Sequence, residues 1–399
     1  MNADKYIVAY EDDIPMAILQ DAFHIVITDE VNAESTLEFG MFFTDPKRKF
    51  IKNQAQLRIG GQAYTVKTVT DKKESGAVKT TTVYAENLFY GLSRAARLGP
   101  AVFDAAKASS PMAYALQNTE WSIGVIGINT ARSFESSEDN PLALLRLIAD
   151  VYNGELVFHS LGKTVDLVRQ AGADNGMAFH FKKNMKSIER TVSTSSLITR
   201  LYATGRDGMT FASVNGGRAY VEDLSYTDEV LTGTLDCSNF TSAKDMLDYA
   251  KMRVADYGRP NYSYRLSVVC LQEQPGYRHE SYGLGDVVRV VDEELGLDIK
   301  TRIVRMEKDV LEPWNTVVEL STTIGTLSVD RDASVQEAIE SVVRSFVAPR
   351  LVQATIDTEN GEVNAMYELG VPVRYKYEET ADGLILTHPD GLVCEIRVI

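Results

Sequence analysis

A chain of 399 residues exceeds one ordinary core, and at roughly 100–200 residues per domain it implies several domains. Its 44% hydrophobic and 24% charged residues exclude a disordered chain, and no apolar run approaches the roughly 20 residues of a membrane helix. The net charge of −15 sits almost wholly in residues 201–399, which carry 33 acids against 19 bases, so tight nucleic-acid binding is not expected.

The first ninety residues read as strands. Ile7–Tyr10, Phe23–Ile27 and Leu37–Phe43 are β-rich runs, and Gln56–Ile59, Gly60-Gly61, Tyr64–Val69 reads as a hairpin. Thr80–Ala85 continues the pattern toward a small barrel or sandwich. Pro100–Gln117 is alanine-rich and predicts a helix interrupted near Ser109-Ser110-Pro111. A better helix starts at Asn140, a good N-cap followed by Pro141. Leu142, Leu145, Ile148 and Ala149 form its stripe and Gly154 its stop. Glu155–Phe158 and Thr164–Val168 follow as strands.

From 190 the β pattern returns. Leu197–Ala203 predicts a strand, and Thr210–Val221 a hairpin about Asn215-Gly216-Gly217. A helix is expected over Ser242–Tyr257, then four strands at Ser263–Cys270, Val287–Val291, Lys300–Met306 and Thr316–Leu320. The stretch 287–306 echoes 56–70, as an internal duplication would. Asp332–Phe346 predicts a short helix whose Val335, Ile339, Val342 and Phe346 repeat by four, three and four, a narrow self-association seam. Residues 350–399 read as β with turns at Asn360-Gly361, Asp382-Gly383 and Asp390-Gly391.

Chemistry is hard to find. There is no phosphate-cradling glycine loop, no nucleophile elbow and no zinc-peptidase signature. The histidines (His24, His159, His180, His279, His388) lack metal-ligand spacing, so no cofactor and no metal is expected. Cys237, Cys270 and Cys394 form no CxxC pair and suit a reducing cytoplasm as buried thiols. The acidic groups Glu11-Asp12-Asp13 and Asp292-Glu293-Glu294 lack calcium-loop spacing, and the N-terminus shows no secretory leader. Paired carboxylates for glycoside cleavage stay open, because their spacing is spatial.

The segment Val165–Asp223 resembles the prophage endopeptidase tail family, also known as phage minor structural proteins. The resemblance rests on Lys183-Asn184-Met185-Lys186-Ser187-Ile188, Thr199-Arg200-Leu201-Tyr202 and Gly205-Arg206-Asp207-Gly208, and on Leu284–Asp292 followed by Thr301-Arg302-Ile303-Val304. It covers roughly residues 1–325. It implies an α+β, β-rich multidomain chain with a baseplate-hub-like fold: two β-barrel domains, α/β domains, a C-terminal helix and a small β segment. The corresponding divisions are 1–92 (barrel), 93–190 (α/β), 191–325 (second barrel with inserted helix 242–257), 326–349 (short amphipathic helix) and 350–399 (small β segment).

The implied function is a virion structural component of a phage tail tip. Such a protein caps the distal tail tube, docks fibre or needle components and opens for genome passage. Expected partners are a homotrimer of itself, the tail tube or distal tail protein ring, tail fibre or needle proteins, and the tape measure protein. Assembly in the host cytoplasm and residence at the tail tip follow. The alternative is a tail-associated peptidoglycan hydrolase. Longer members of the family continue into lytic or host-binding parts, whereas about seventy residues follow Thr326 with no catalytic signature, so no enzyme is expected. A weaker idea is carbohydrate contact through Tyr367, Tyr375, Tyr377 or His388.

Overall fold

The computed structural model describes residues 5–73, 79–269 and 280–321, and the backbone of five strands between 351 and 397. The chain divides into two compact units, residues 1–327 and 328–399.

The first unit opens with seven strands: β1 (Ile7–Glu11), β2 (Ile14–Leu19), β3 (Phe23–Glu30), β4 (Ser35–Phe42), β5 (Gln56–Ile59), β6 (Gln62–Lys72) and β7 (Thr80–Asn87). Their order is β3-β4-β7-β6-β5-β1-β2, and each neighbouring pair is antiparallel. Period-two alternation buries Leu37, Phe39 and Met41 of β4 against Ile7, Leu57, Tyr64, Val83 and Ala85. The Gly60-Gly61 turn is as expected: Ile59 pairs with Gln62, and both glycines take positive φ (58° and 75°). The strand β2 has no counterpart in the sequence reading, because Pro15 breaks its run. A proline is tolerated there because β2 pairs only with β1.

The next stretch holds α1 (Leu92–Ala95), β8 (Ala101–Lys107), α2 (Ser109–Leu116), β9 (Ser122–Ile126), β10 (Ala131–Ser136), α3 (Pro141–Val151), β11 (Glu155–His159) and β12 (Thr164–Val168). The expected alanine-rich helix over 100–117 is corrected here. Its first half is the strand β8, paired antiparallel with β10, and helix begins only at Ser109. Cross-strand pairing and the burial of Phe103 override the helix propensity of alanine. Asn140 caps α3 by accepting from the Ala143 N–H at 2.9 Å. Asn153 (φ 50°), not Gly154, takes the left-handed turn after the helix. Gly154 is small for packing: a Cβ there would meet Ile128 Cδ1 at 2.6 Å.

Then come β13 (Ala178–His180), β14 (Met185–Ser193), β15 (Arg200–Gly205), β16 (Tyr220–Glu222), β17 (Thr232–Cys237), α4 (Ala243–Tyr257), β18 (Asn261–Val268), β19 (Val287–Asp292), β20 (Leu297–Asp309) and β21 (Thr316–Ser321). The hairpin expected over 210–221 does not form. Ala212–Val214 is a 3-10 turn, and β16 pairs with β15 instead. Phe211 is fully buried, which fixes that segment by packing rather than by pairing. Ser242 caps α4, and Met246, Leu247, Ala250 and Val254 join the same core as Leu142, Leu145 and Ile148 of α3. The helix read from sequence as an insertion in a second barrel therefore packs into the helical core.

A single strand joins the halves of the large sheet. Along one edge Leu297–Arg302 of β20 pairs with β19, and Arg305–Asp309 pairs with Glu30–Val26 of β3. Along the other edge β20 pairs with β21. The result is one continuous thirteen-stranded sheet, with β2 and β14 at the ends of its main path. The two separate closed barrels expected from the resemblance are not seen among the described strands. The physical reason is the length of β20, thirteen residues, which reaches across both halves.

The second unit contains Leu351–Asp357, Glu362–Tyr367, Pro372–Thr380, Gly383–Thr387 and Val393–Arg397, an antiparallel meander in chain order. The seam residues Val335, Ile339, Val342 and Phe346 lie outside the described residues, as does the helix expected over 332–346.

Candidate functional site

The residues singled out by sequence converge on junctions between segments. Asn184 is fully buried in the turn between β13 and β14. Its Oδ1 accepts from the His180 N–H at 2.8 Å, and its Nδ2 donates to Ala178 O at 2.9 Å and to Glu280 at 3.3 Å. Beside it Lys183 pairs with Glu280 at 2.6 Å. Thr199, also buried, donates from Oγ1 to Glu229 O at 2.7 Å and accepts from the Leu231 N–H at 2.8 Å, tying the strand β15 to the loop before β17. Arg200 pairs with Glu222 across β15–β16 at 2.5 Å. Gly205 lies against Met209 and Met246, and Gly208 takes a φ of 76° that side chains avoid.

The tightest junction is built on Gly285, Asp286 and Arg302. Gly172 and Gly285 pass backbone to backbone: a Cβ on Gly172 would stand 2.2 Å from Gly285 C. Asp286 accepts from the N–H groups of Ala173 (2.7 Å) and Gly283 (2.8 Å). Arg302 donates from Nε to Gly285 O at 2.8 Å and from Nη2 to Ala171 O at 3.0 Å. It also grips Glu155 of β11 in a fork, at 2.6 and 2.5 Å. The Arg302 and Glu155 side chains are 12% and 5% exposed, so a charge is matched by a charge in the interior.

Three residues along, Arg305 meets a different environment. It approaches Glu34 at 3.4 Å and Glu307 at 3.3 Å, and its buried Nε has no acceptor among the described residues. The register places Glu38 opposite Val26, Arg305 opposite Glu30, and Glu307 opposite Thr28, on one sheet face at the β3–β20 seam. Carboxylates outnumber cations there. Burial, then the charges of Glu34 and Glu307, push Glu38 up to about 7. Burial raises Glu34 despite Arg305, and it pushes Asp29 up to about 6 despite a bond from Ser35. Sequence reasoning missed this cluster, because Glu38 and Glu307 are 269 positions apart.

Cys237 is buried, and burial pushes its thiol up to about 12, away from nucleophilic form. Cys270 and the side chain of Cys394 lie outside the described residues, as do the side chains of Tyr367, Tyr375, Tyr377 and His388. Among the described residues no group of three His, Cys, Asp or Glu is placed to hold a metal, and no helix is long and apolar enough to cross a membrane.

Three models of one family match the chain in succession: the prophage endopeptidase tail N-terminal domain over 6–87, a prophage endopeptidase tail domain over 95–167, and the prophage endopeptidase tail over 173–329. The chain belongs to the prophage endopeptidase tail family. It is a phage tail protein by family. The fold is similar to that of a prophage tail protein from Listeria monocytogenes EGD-e, with a TM-score of 0.60 and 15% identity over 85% of this chain and 99% of that one. It is also similar to the 43 kDa tail protein of prophage MuSo2 from Shewanella oneidensis, with a TM-score of 0.56 and 14% identity over 79% and 97%. The SPbeta prophage-derived protein YomG of Bacillus subtilis (strain 168) is 28% identical over 116 residues, 28% of this chain; the match covers 13% of that protein's length.

Proposed function

We propose that this chain is a baseplate-hub protein of a phage tail tip. It caps the distal tail tube as a homotrimer, docks fibre or needle components, and opens for genome passage. One observation carries the reading. The family-like residues Asn184, Thr199, Gly205, Gly285, Asp286 and Arg302 act as clamps between segments, a pattern that serves a rigid ring component.

Two hub halves are part of the proposal. The echoing stretches both form hairpins in one sheet, β5–β6 and β19–β20. In each, the second strand is long (11 and 13 residues) and carries a bulge, between Val66 and Thr68 and between Ile303 and Arg305. The divisions at 1–92, 93–190 and 191–325 belong to the proposal, with two adjustments: β13 and β14 pair with β19 and β18 and so join the second half, and α4 packs in the helical core. The helix of 326–349 supplies a trimer seam through Val335, Ile339, Val342 and Phe346, and 350–399 forms a distal appendage covered by its own copies. Proposed partners are the tail tube or distal ring, fibre or needle proteins and the tape measure protein. The protein assembles in the host cytoplasm and resides in the virion.

Imaging of tail particles tests this. Tip density holding three copies supports it; one or six copies overturn it. Deleting 327–399 should leave a soluble chain that still joins the tube while the tip loses distal density. An insoluble product overturns the appendage. The hydrolase reading has the family's name behind it, and zymography on bacterial cell walls decides it: a cleared band that survives re-purification would replace the structural role with a lytic one.

A further inference from the structure

Two exposed patches on this chain each hold apolar side chains, and their unpaired charges are of opposite sign. The first lies where β4 ends. Phe42 is 45% exposed, and Phe43 follows it. Because β3 runs antiparallel to both β4 and β20, the connection after β20 comes to the same end of the sheet, with Trp314 50% exposed. Cations frame the Phe43 ring, while Asp309 and Glu312 precede Trp314 in the chain. The short turn Pro46–Phe50 contributes Lys47, Arg48 and Lys49, and Lys79 stands just before β7. The Arg48 guanidinium lies 4.4 Å from the Phe43 ring centre and the Lys79 ammonium 5.5 Å from it. Arg48 is paired with Asp71, but Lys47, Lys49 and Lys79 have no ion pair among the described residues. In a chain of net charge −15 this is a basic, aromatic surface.

The second patch is the loop between β16 and β17. Tyr226 (51% exposed) and Val230 (45%) stand out of it, with Leu224 beside them. Asp228 and Glu229 lie in the same loop, Glu222 before it is paired with Arg200, and no Lys or Arg occurs between Arg218 and Lys244. The loop is built rather than slack. Thr199 holds Glu229 O and the Leu231 N–H, and Asp223 accepts from the Ser225 N–H at 2.9 Å. Asp228 and Glu229 form no ion pair among the described residues.

Each patch has an apolar centre and a charged rim, the anatomy of an interface whose anchors bind and whose charges orient. Both are exposed in the same folded unit, so neither covers the other. We propose that they are the two halves of one contact between copies of this chain: the Phe42-Phe43-Trp314 end of one copy seats on the Leu224-Tyr226-Val230 loop of the next. Two different patches in contact make a head-to-tail interface, which closes into a ring when the rotation allows. The inference rests on the homotrimer reading and supplies its contact.

Sedimentation of the full chain tests it. Wild type should self-associate in a concentration-dependent way at ~50 mM salt and less at ~500 mM, since rim charges are screened. K47E/K49E/K79E and D228K/E229K should each raise the dissociation constant about tenfold or more. Mixing the two variants should restore association in part, because unlike copies match at each junction they share, while a closed ring of three always keeps one mismatched junction between like copies. Unaltered melting shows that the variants fold. The proposal is overturned by a wild type that stays monomeric, by variants that associate normally, or by losses that mixing does not restore. Tails imaged in parallel separate the two ideas. Threefold tips built from charge variants that still assemble leave the hub standing and remove this interface. Tails lacking the wild-type chain remove the hub reading itself.

Discussion

Arg302 and Arg305 stand three residues apart on β20, and each links distant parts of the chain, yet their surroundings differ in kind. Arg302 is saturated: Nε holds Gly285 O, the two Nη groups grip both oxygens of Glu155, and Ala171 O takes a further bond. Arg305 is outnumbered: Glu34 and Glu307 flank it, Glu38 stands nearby, and its Nε is unsatisfied among the described residues. The first junction is stoichiometric in charge. The second holds excess carboxylate in a half-buried place and releases strain by binding protons. The presence of a salt bridge therefore says little; the count of charges around it decides what the junction does.

The comparison can be broken most severely at Arg302. R302M strands the Glu155 carboxylate in the interior and should cost about 3–5 kcal/mol in denaturant unfolding, with the double variant R302M/E155M recovering most of it. A full loss that the double variant leaves unchanged would show that packing, not charge matching, holds this junction. G172A attacks the same junction through the backbone. A φ of 78° and a Cβ 2.2 Å from Gly285 C leave no room, so a loss of about 2–4 kcal/mol is expected. A neutral effect would mean that the two glycines can separate freely.

At the other arginine the effects are smaller and depend on pH. R305M leaves its carboxylates facing one another. It should cost about 1–2 kcal/mol at about pH 8 and less at about pH 5, where the neighbouring Glu38 is protonated and adds no charge to the cluster. Equal losses at both pH values would mean that Arg305 acts as a packed stem. The mildest change is E38Q, and it should stabilise. Glu38 has a carboxyl held at about 7 in the fold against an ordinary value of 4.5. The folded state thus prefers the protonated form. Stability is intact below the ordinary value, falls as pH rises through the interval, and stays reduced above 7. Glutamine removes that penalty, giving about 1 kcal/mol at about pH 8 and nothing at about pH 4. Destabilisation by E38Q at the higher pH would reverse the assignment of excess charge to this seam.

Legibility in the sequence followed the range of the interaction. The Gly60-Gly61 turn, the Asn140 cap and the stripe of Leu142, Leu145, Ile148 and Ala149 on α3 all rest on neighbours within a few positions, and each appears as read. The failures share a cause as well. Residues 101–107 have helix-forming alanines but pair with β10, and 212–214 precede a hairpin-like Asn-Gly-Gly yet are fixed by the burial of Phe211. Both were decided by partners far along the chain. The resemblance carried the family, while the residues that join its segments were visible only as isolated letters.

By itself the sequence determined local backbone chemistry and family membership. Caps, turns, alternation and acidic balance depend on residue type and short spacing, which a linear string displays directly. Only the tertiary structure decided that β20 spans both halves of the sheet, that Arg302 meets Glu155 from 147 positions away, and that Glu38, Glu34 and Glu307 share one face. Burial and Coulomb energies act over a few ångströms in space, and chain separation does not enter them. For that reason two arginines three letters apart could not be told apart until the fold surrounded one with a matched set of acceptors and the other with too many charges.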